Sequence, residues 1–289
     1  MKKYEPTKIQ GIIALVFFFT CTSLVFFQEI FIADMLTKEW ETHKDFKIPE
    51  SVYYDTNRDV IYVANINGKA TGKDNNGFIS RLSFDGNILD LHWIEDLDAP
   101  KGMDTHDNIL YVSDIDRVVA IDIMDEKIIN VYRTDSGKFL NDVITGKSGN
   151  VFISDTRGNA VYMISKNEIK IWKYSADLVS PNGLCIEGKN LLVGCKDKIM
   201  AIDLSSKDVK TLMTGTGSID GLESDGKGSF IISDWRGNIH RVTPDNGKEL
   251  LLNTTPAKIN AADIDFVPER KLLLVPTFHD NRIMAYSLE

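Results

Sequence analysis

A sequence repeat with a period of about 40 residues runs along most of this 289-residue chain and restricts its possible folds. Each copy opens with a short turn phrase, such as SPNGLC or SIDGLE, and continues with short segments rich in β-branched and aromatic residues. Six copies follow one another, and their turn phrases are 51, 40, 41, 38 and 42 residues apart. Four strands per repeat at this period are typical of a propeller blade. The sequence therefore predicts an all-β fold: a six-bladed β-propeller with four antiparallel strands per blade.

The two ends of the repeat region complement each other. The sixth copy ends at MAYSLE, one strand short of a full blade, whereas residues 39–47 precede the first copy and can supply that strand. A strand from the N-terminal side would close the ring and leave no open sheet edge. We therefore assign residues 34–289 to one propeller domain.

The first 33 residues differ from the repeats. Three lysines precede an uncharged apolar run over residues 9–27, which approaches the roughly 20 residues that a membrane helix needs. We interpret residues 1–33 as a signal peptide or an N-terminal membrane anchor, without a decision between cleavage and retention. The propeller is then expected to be exported, as a periplasmic or extracytoplasmic domain or as a membrane-anchored domain facing outward, with membrane contact only through this segment.

Two of the three cysteines lie in one predicted hairpin. With Gly188-Lys189 as the tight turn, Cys185 lies opposite Leu192, and Cys195 lies beyond the reach of a disulfide. We therefore expect both cysteines to be free thiols.

Other polar features lie near the predicted channel mouth. The loop over residues 65–77 is rich in Gly, Asn and Lys, and its composition fits both a lid over the channel and a plain surface insertion. Asp114, Asp155 and Asp234 each end a second strand in a Ser-Asp pair. We expect these three carboxylates to bind nearby backbone.

One position in each turn phrase is predicted to face the channel. The first strand of a propeller blade lines the central channel, and this position, which we call the slot, opens that strand. The slot residue varies from copy to copy, as expected for positions that share a site rather than a core. In chain order, the slots are Glu50, Lys101, Asn141, Asn182, Asp220 and Ala262.

The slot residues suit a hard metal ion. Carboxylate and amide oxygens that converge from Glu50, Asn182 and Asp220 predict a divalent-cation site, with Ca²⁺ as the first choice and Mg²⁺, Mn²⁺ or Zn²⁺ as alternatives. No His or Cys occupies a slot, which disfavours zinc. Asp and Asn also occur in turns for purely structural reasons. Lys101 in the same ring would either repel a cation or replace it as the counter-charge.

The net charge of the chain and the motifs that it lacks argue against several classes of function. The net charge of −9 argues against a nucleic-acid partner. The sequence contains no Gly-rich phosphate loop and no Gly-x-Ser-x-Gly nucleophile turn. A small-molecule substrate is the expected partner, and the sequence predicts no oligomeric state.

At the slot residues the chain resembles the SMP-30/gluconolactonase/LRE-like family of six-bladed propellers, over about residues 45–289. The resemblance rests on ESVYY at Glu50, PNGL at Asn182 and IDGL at Asp220. In that family these three residues bind a divalent cation, and the Asp is the proposed catalytic base. The resemblance therefore implies metal binding by Glu50, Asn182 and Asp220, and catalysis by Asp220.

The resemblance also implies a substrate site and a reaction. FLND matches the family's substrate-site phrase and implies substrate contacts by Asn141 and Asp142, although Phe139 stands where the family's lactonases carry Arg. Lys101 is a further expected substrate contact. The expected function is divalent-metal-dependent hydrolysis of a small lactone or ester. The alternative is a non-enzymatic propeller that binds a peptide, glycan or protein partner on its upper face. A strictosidine-synthase-like lyase would share the fold, but no residue here favours it.

Overall fold

The computed structural model describes residues 29–245 and 247–289, which form six antiparallel sheets arranged as the blades of one ring. The first strand of each blade contacts the first strands of the blades on either side, all the way round the ring. The predicted six-bladed β-propeller is therefore confirmed. No helix in the described residues is long and apolar enough to cross a membrane. The apolar run at residues 9–27 lies outside the described residues.

The strands follow the predicted order of repeats. Two strands precede the first blade, β1 (Phe31–Ile32) and β2 (Leu36–Glu41). Blade 1 contains β3 (Pro49–Asp55), β4 (Val60–Asn65), β5 (Gly77–Ser83) and β6 (Ile88–Leu97), and blade 2 contains β7 (Pro100–His106), β8 (Ile109–Asp114), β9 (Arg117–Asp122) and β10 (Lys127–Arg133). Blade 3 contains β11 (Leu140–Thr145), β12 (Val151–Asp155), β13 (Ala160–Ser165) and β14 (Glu168–Tyr174), and blade 4 contains β15 (Leu184–Glu187), β16 (Asn190–Asp203) and β17 (Val209–Ser218). Blade 5 contains β18 (Leu222–Ser224), β19 (Phe230–Ser233), β20 (Asn238–Val242) and β21 (Lys248–Asn253), and blade 6 contains β22 (Asp265–Val267), β23 (Leu272–Pro276) and β24 (Ile283–Leu288). Two short 3₁₀ helices, Thr255–Ala257 and Phe278–Asp280, lie in connections of the last two blades.

Blade 4 has four-stranded geometry although β16 is continuous. Residues 190–193 of β16 pair with β15, and residues 196–202 pair with β17. Near the start of the second half Asp197 has a φ of 63°, and the Leu204 N–H donates to the Lys189 carbonyl at 2.9 Å. The two halves of β16 therefore lie side by side as the second and third strands of the blade.

The cysteine hairpin is as predicted. Glu187 pairs with Asn190 across Gly188-Lys189, and Cys185 lies opposite Leu192. Gly188 has a φ of 59°, which favours glycine. Both cysteines of this hairpin are buried free thiols.

The ring closes with a strand from the N-terminal side, but at an earlier position than predicted. β2 pairs with β24, so the closing strand is Leu36–Glu41 rather than residues 39–47. After Thr42, which exchanges hydrogen bonds with the backbone of Ile283, the chain leaves the sheet. It then places Phe46 in the core, where the side chain of Phe46 is fully buried. The burial of Phe46 explains why the strand ends where it does.

β1 is an additional strand that the repeat did not predict. Phe31 and Ile32 pair with β21 at the outer edge of blade 5, which makes that sheet five-stranded. These residues fall within the segment 1–33 that the sequence analysis assigned to the leader. The outer edge of blade 5 is therefore the place where the N-terminal segment meets the ring.

The core lies between neighbouring blades. In one cluster Tyr62 and Ile79 of blade 1 pack on Leu110 and Val119 of blade 2. The second strands of the blades are buried on both faces, which accounts for their nearly continuous apolar sequence. Full burial of one such side chain contributes about 1.5–3 kcal/mol.

Candidate functional site

Five of the six slots line one cavity at the mouth of the central channel, which we call the slot cavity. Its volume is about 270 Å³. The five slot residues that line it are Glu50, Lys101, Asn141, Asn182 and Asp220. The sixth slot residue, Ala262, is fully buried and packs with Ile66, Ala99 and Phe278 beside the cavity.

Irregularities in the first strands direct the slot side chains into the cavity. The pairing of the first and second strands shifts register at the slot in blades 1, 2 and 3. In blades 4 and 5 the slot residue precedes the strand: β15 begins at Leu184 and β18 at Leu222. A bulge or a pre-strand position releases a side chain from the regular alternation of the sheet and re-aims it.

The glycine after the slot has a different role from the one the sequence suggested. Asn182-Gly183 reads as a turn dipeptide, but Gly183 is not among the residues with positive φ. A Cβ at Gly183 would lie 2.6 Å from the Asp220 carbonyl oxygen, and a Cβ at Gly102 would lie 2.5 Å from the Asp142 Cα. The glycines are therefore needed because the inner strands of adjacent blades approach closely, and the Gly183 N–H donates to the Asp220 carbonyl at 2.8 Å.

Two buried oxygen acceptors in the site have no hydrogen-bond partner among the residues that the structure describes. Asn182 Nδ2 donates to Asp220 Oδ1 at 2.5 Å. Asn182 Oδ1 and Glu50 Oε2 are buried and accept no hydrogen bond from the described residues. An unpaired buried acceptor is costly, so both oxygens favour a bound cation or a donor from a ligand.

The carboxylates of the site are destabilised in their charged form. Burial, and then the nearby Asp220 carboxylate, raise the pKa of Glu50 well above its usual range. Burial raises the pKa of Asp220 to about 6, against the opposing effect of the Asn182 hydrogen bond. A cation between these groups would relieve the cost of their charge.

Lys101 brings a positive charge into the same cavity. The side chain is almost fully buried, and burial lowers its pKa while the Glu50 carboxylate opposes that shift. Its Nζ donates to the Ala99 carbonyl at 2.7 Å and lies 4.7 Å from the centroid of the Phe139 ring. Nζ makes no ion pair within 4.0 Å in residues 29–245 and 247–289. The ammonium is therefore held against the cavity wall rather than paired with Glu50.

Asn141 and Asp142 lie in different cavities. Asn141 faces the slot cavity, where its Nδ2 donates to Thr156 Oγ1 at 3.2 Å. Asp142 lines a second cavity of about 200 Å³ further along the channel. Its carboxylate accepts the N–H groups of Val143 and Leu184 at 2.6 and 2.5 Å, and burial raises its pKa to about 7. Asp142 therefore joins blades 3 and 4, away from the other predicted site residues.

The loop over residues 65–77 forms part of the cavity wall. Ile66 and Ala70 line the slot cavity. Lys73 Nζ pairs with Asp116 of blade 2 at 2.5 Å, so the loop bridges to the next blade. This arrangement agrees better with a cover over the channel than with a loosely attached surface insertion.

The remaining walls are apolar and include residues that the repeat did not indicate. Phe139, Ile219, Trp235 and Phe278 line the cavity, and Trp235 packs edge-on against Phe278 with ring centroids 5.6 Å apart. Thr156 also lines it. The sequence signal for these residues was only their place in connections that lead to the channel mouth.

Other charged residues near the mouth have structural partners. Asp114 accepts the N–H groups of Asp98 and Ala99 at 3.0 and 2.7 Å. Arg117 forms ion pairs with Asp98 and Asp114. Asp155 and Asp234 also accept backbone N–H groups. The predicted backbone role of the three Ser-Asp carboxylates is confirmed.

The donor set of the cavity fits a hard cation. The described residues contain no group of three His, Cys, Asp or Glu side chains arranged around one point. The slot cavity instead offers two carboxylates and an amide oxygen, of which Glu50 Oε2 and Asn182 Oδ1 are unpaired. Hard divalent cations accept such oxygen sets and complete their coordination with water. Two features of the cavity disfavour a cation: the Lys101 ammonium lines it, and Asn182 Nδ2 already donates to Asp220 Oδ1.

Comparisons with known proteins identify the fold. No family model and no curated protein match the sequence. Among solved structures, a streptogramin B lyase superposes with a TM-score of 0.63 at 13% identity, covering 90% of this chain and 98% of its own. A putative gluconolactonase gives 0.63 at 15% identity, with 89% and 94% coverage. The WD40 β-propeller domain of Doa1 gives 0.62 at 12% identity, with 83% and 78% coverage. At these identities the similarities establish a propeller fold and do not assign a family or an activity.

Proposed function

We propose that this protein is a divalent-cation-dependent hydrolase of a small lactone or ester, with the slot cavity as its active site. The observation that carries the proposal is the pair of unpartnered buried acceptors, Glu50 Oε2 and Asn182 Oδ1, beside the Asp220 carboxylate. Two buried oxygens that lack donors favour a resident positive charge. The putative gluconolactonase among the structural neighbours is compatible with this activity.

The cavity size favours a small substrate. Its volume of about 270 Å³ lies near the lower end of the range of ligand pockets, roughly 300–1,000 Å³. Its apolar walls, including Phe139 and Trp235, suit the carbon skeleton of a substrate, whereas the slot residues suit its oxygen atoms. A compact lactone or short ester meets both conditions.

Each slot residue has a proposed role. Glu50, Asn182 and Asp220 hold the cation. When bound, a divalent ion supplies Lewis-acid polarisation of a carbonyl and lowers the pKa of water. Asp220 is proposed to accept the proton of the attacking water, because its carboxylate lines the cavity and a neighbouring cation would keep it ionised at neutral pH. Asn141 orients substrate hydroxyl groups.

Lys101 has a proposed role in the reaction, whereas Asp142 has none. The Lys101 ammonium faces the cavity and is proposed to donate to an oxygen of the substrate. Asp142 lines the other cavity, so its proposed contact with substrate has no support from the geometry. We leave Asp142 out of the proposed reaction.

A second candidate function rests on Lys101. If its ammonium is the resident cation for Glu50 and Asp220, no metal is needed, and the cavity belongs to a non-enzymatic propeller that binds a partner on its upper face. The burial of Lys101 in the slot cavity favours this reading.

A substrate screen separates the two functions. Residues 29–289, which contain the whole closed ring, are incubated with lactones and esters with and without Ca²⁺, Mg²⁺, Mn²⁺ or Zn²⁺. The proposal expects cation-dependent turnover that Asp220→Asn abolishes. Glu223→Gln is the control, because this carboxylate also faces the channel but lines the other cavity, and it is expected to retain turnover. Cation-independent turnover, or equal loss in both variants, would count against the proposed site.

A further inference from the structure

A separate cavity opens between blades 3 and 4, on the face of the ring opposite the slots. Its volume is about 590 Å³, compared with about 270 Å³ for the slot cavity. It is bordered by the turn after β11, by the Gly188 turn and by residues 204–207. The first two of these turns follow the first strands of their blades, whose opposite ends carry the slots. We call this space the lateral cavity.

The lateral cavity has an apolar lining. Phe152 and Trp172 are largely buried and meet edge to face, with ring centroids 4.9 Å apart. Met163, Ile186 and Leu204 pack beside them and remain partly exposed. A concave apolar surface of this volume falls in the range of small-molecule binding sites.

Lysines surround this apolar lining without acidic partners. Lys147 and Lys207 line the cavity, no carboxylate lines it, and Lys173 Nζ donates to the Lys207 carbonyl at 2.8 Å. None of these three lysines forms an ion pair within the described part of the chain. By contrast, Lys170 and Lys189 nearby are paired with Glu168 and Asp203.

The positive charge of the lateral cavity lies close to its apolar side chains. The chain has a net charge of −9, whereas the lateral cavity is lined by two lysines and no carboxylate. Lys207 Nζ lies 5.6 Å from the centroid of the Trp172 ring, so the charge lies directly beside the apolar lining. The combination suits a ligand with an apolar body and one negative group.

We propose that the lateral cavity binds a small amphipathic anion, an aromatic or aliphatic carboxylate. The apolar body packs on Phe152, Trp172 and Leu204, and the carboxylate lies between Lys147 and Lys207. The apolar lining supplies most of the affinity, because its contacts remove hydrocarbon from water. The exposed lysines add selectivity for the anion over a neutral analogue. This site is independent of the proposed hydrolase activity.

The test uses 1-naphthoate as the probe and 1-naphthalenemethanol as its neutral counterpart. Calorimetric titration into residues 29–289 is expected to show one site that prefers the anion. Lys147→Gln with Lys207→Gln is expected to weaken naphthoate binding about three- to tenfold, from two partly screened charge contacts. Lys170→Gln with Lys189→Gln changes the net charge equally outside the cavity and is expected to have no effect.

A second variant tests the cavity without a change of charge. A Cβ at Gly146 would meet the Asn150 carbonyl at 3.5 Å and the Phe152 ring at 3.6 Å, which are ordinary contacts, so Gly146→Leu is expected to fill the space over Phe152 and abolish binding. Circular dichroism checks that Gly146→Leu folds. If this variant does not fold, the naphthoate affinities of the two lysine double variants test the proposal. The proposal fails if naphthoate does not bind at millimolar concentration, if the neutral analogue binds equally well, or if a folded Gly146→Leu binds like the wild type.

Discussion

Replacement of Lys101 by Met is expected to tighten the binding of a divalent cation in the slot cavity. Lys101 is nearly fully buried, and its ammonium is held by the Ala99 carbonyl and the Phe139 ring. It lines the same cavity as Glu50 and Asp220. It therefore repels any ion that those carboxylates would hold. Met keeps most of the side-chain volume and removes the charge.

The size of the effect follows from Coulomb's law. With an effective dielectric constant of about 20 and an assumed separation of roughly 7 Å between Nζ and the ion, two unit charges interact by about 2.4 kcal/mol, and a divalent ion doubles that figure. Water at the cavity mouth reduces the repulsion, so we expect a gain of about 2 kcal/mol, or about 30-fold in affinity.

The assay is calorimetric titration of Ca²⁺ and Mn²⁺ into the wild type, Lys101→Met and Lys138→Met. Lys138 lies next to Phe139 but is exposed and outside the cavity, so it controls for the loss of one charge near the mouth. Lys101→Met should bind about 30-fold more tightly than the wild type, and Lys138→Met should be unchanged. An unchanged Lys101→Met, or equal tightening in both variants, would refute the reasoning.

Three further predictions concern the ring, its pH dependence and its location. Deletion of residues 1–41 removes β2 and bares β24, so we expect aggregation in size-exclusion chromatography, whereas deletion of residues 1–33 removes only the outer strand β1 and should leave a monodisperse protein. Burial raises the pKa values of Asp142 and Asp265 to about 7, above their unfolded value of about 3.9. The folded state therefore binds more protons over this interval, and the melting temperature should rise as the pH falls from about 8 to about 5. Asp265→Asn should flatten that rise in scanning calorimetry, and an unchanged slope would show that this carboxyl is not the cause. Fusion of residues 1–45 to a reporter active only outside the cytoplasm should give signal, and a reporter that stays silent would contradict the proposed export.

The blade architecture was predictable because each repeat has the same pattern of strand-forming segments and turn residues. Short β-branched segments bounded by Gly, Asn and Asp can form only strands and turns, and their faces are buried only when several copies pack together. The missing sixth-blade strand pointed to closure from the N-terminal side. The position of that strand was wrong by three residues at its start and six at its end, since β2 spans residues 36–41 rather than 39–47. The early end follows from the burial of Phe46 against the last blade, a contact that the repeat does not show.

Five of the six slot residues line one cavity, as the repeat predicted, whereas Ala262 is buried beside it. Finer geometry was not predictable from the repeat. Asn141 and Asp142 are adjacent, yet the bulge between Leu140 and Val143 sends them to different cavities. The sequence Asn182-Gly183 suggested a turn, whereas close approach of the next inner strand is the reason for the glycine.

Residues that line the slot cavity from outside the inner strands were not predictable as a group. Ile66, Thr156 and Phe278 belong to three different connections, and only the closed ring brings them together. They lie 16, 15 and 16 residues after the slots of their blades, but the residue types at these positions do not repeat. The strand β1 was missed for a similar reason, because its partner β21 is more than two hundred residues away in the chain.

The most direct test of a cation-binding slot cavity is the crystal structure of residues 29–289 grown with Mn²⁺, measured with anomalous diffraction. We predict an anomalous peak bounded by Glu50 Oε2, Asn182 Oδ1 and the Asp220 carboxylate. The absence of a peak there, with Lys101 Nζ in contact with the two carboxylates instead, would contradict the cation site and favour the metal-free binding propeller.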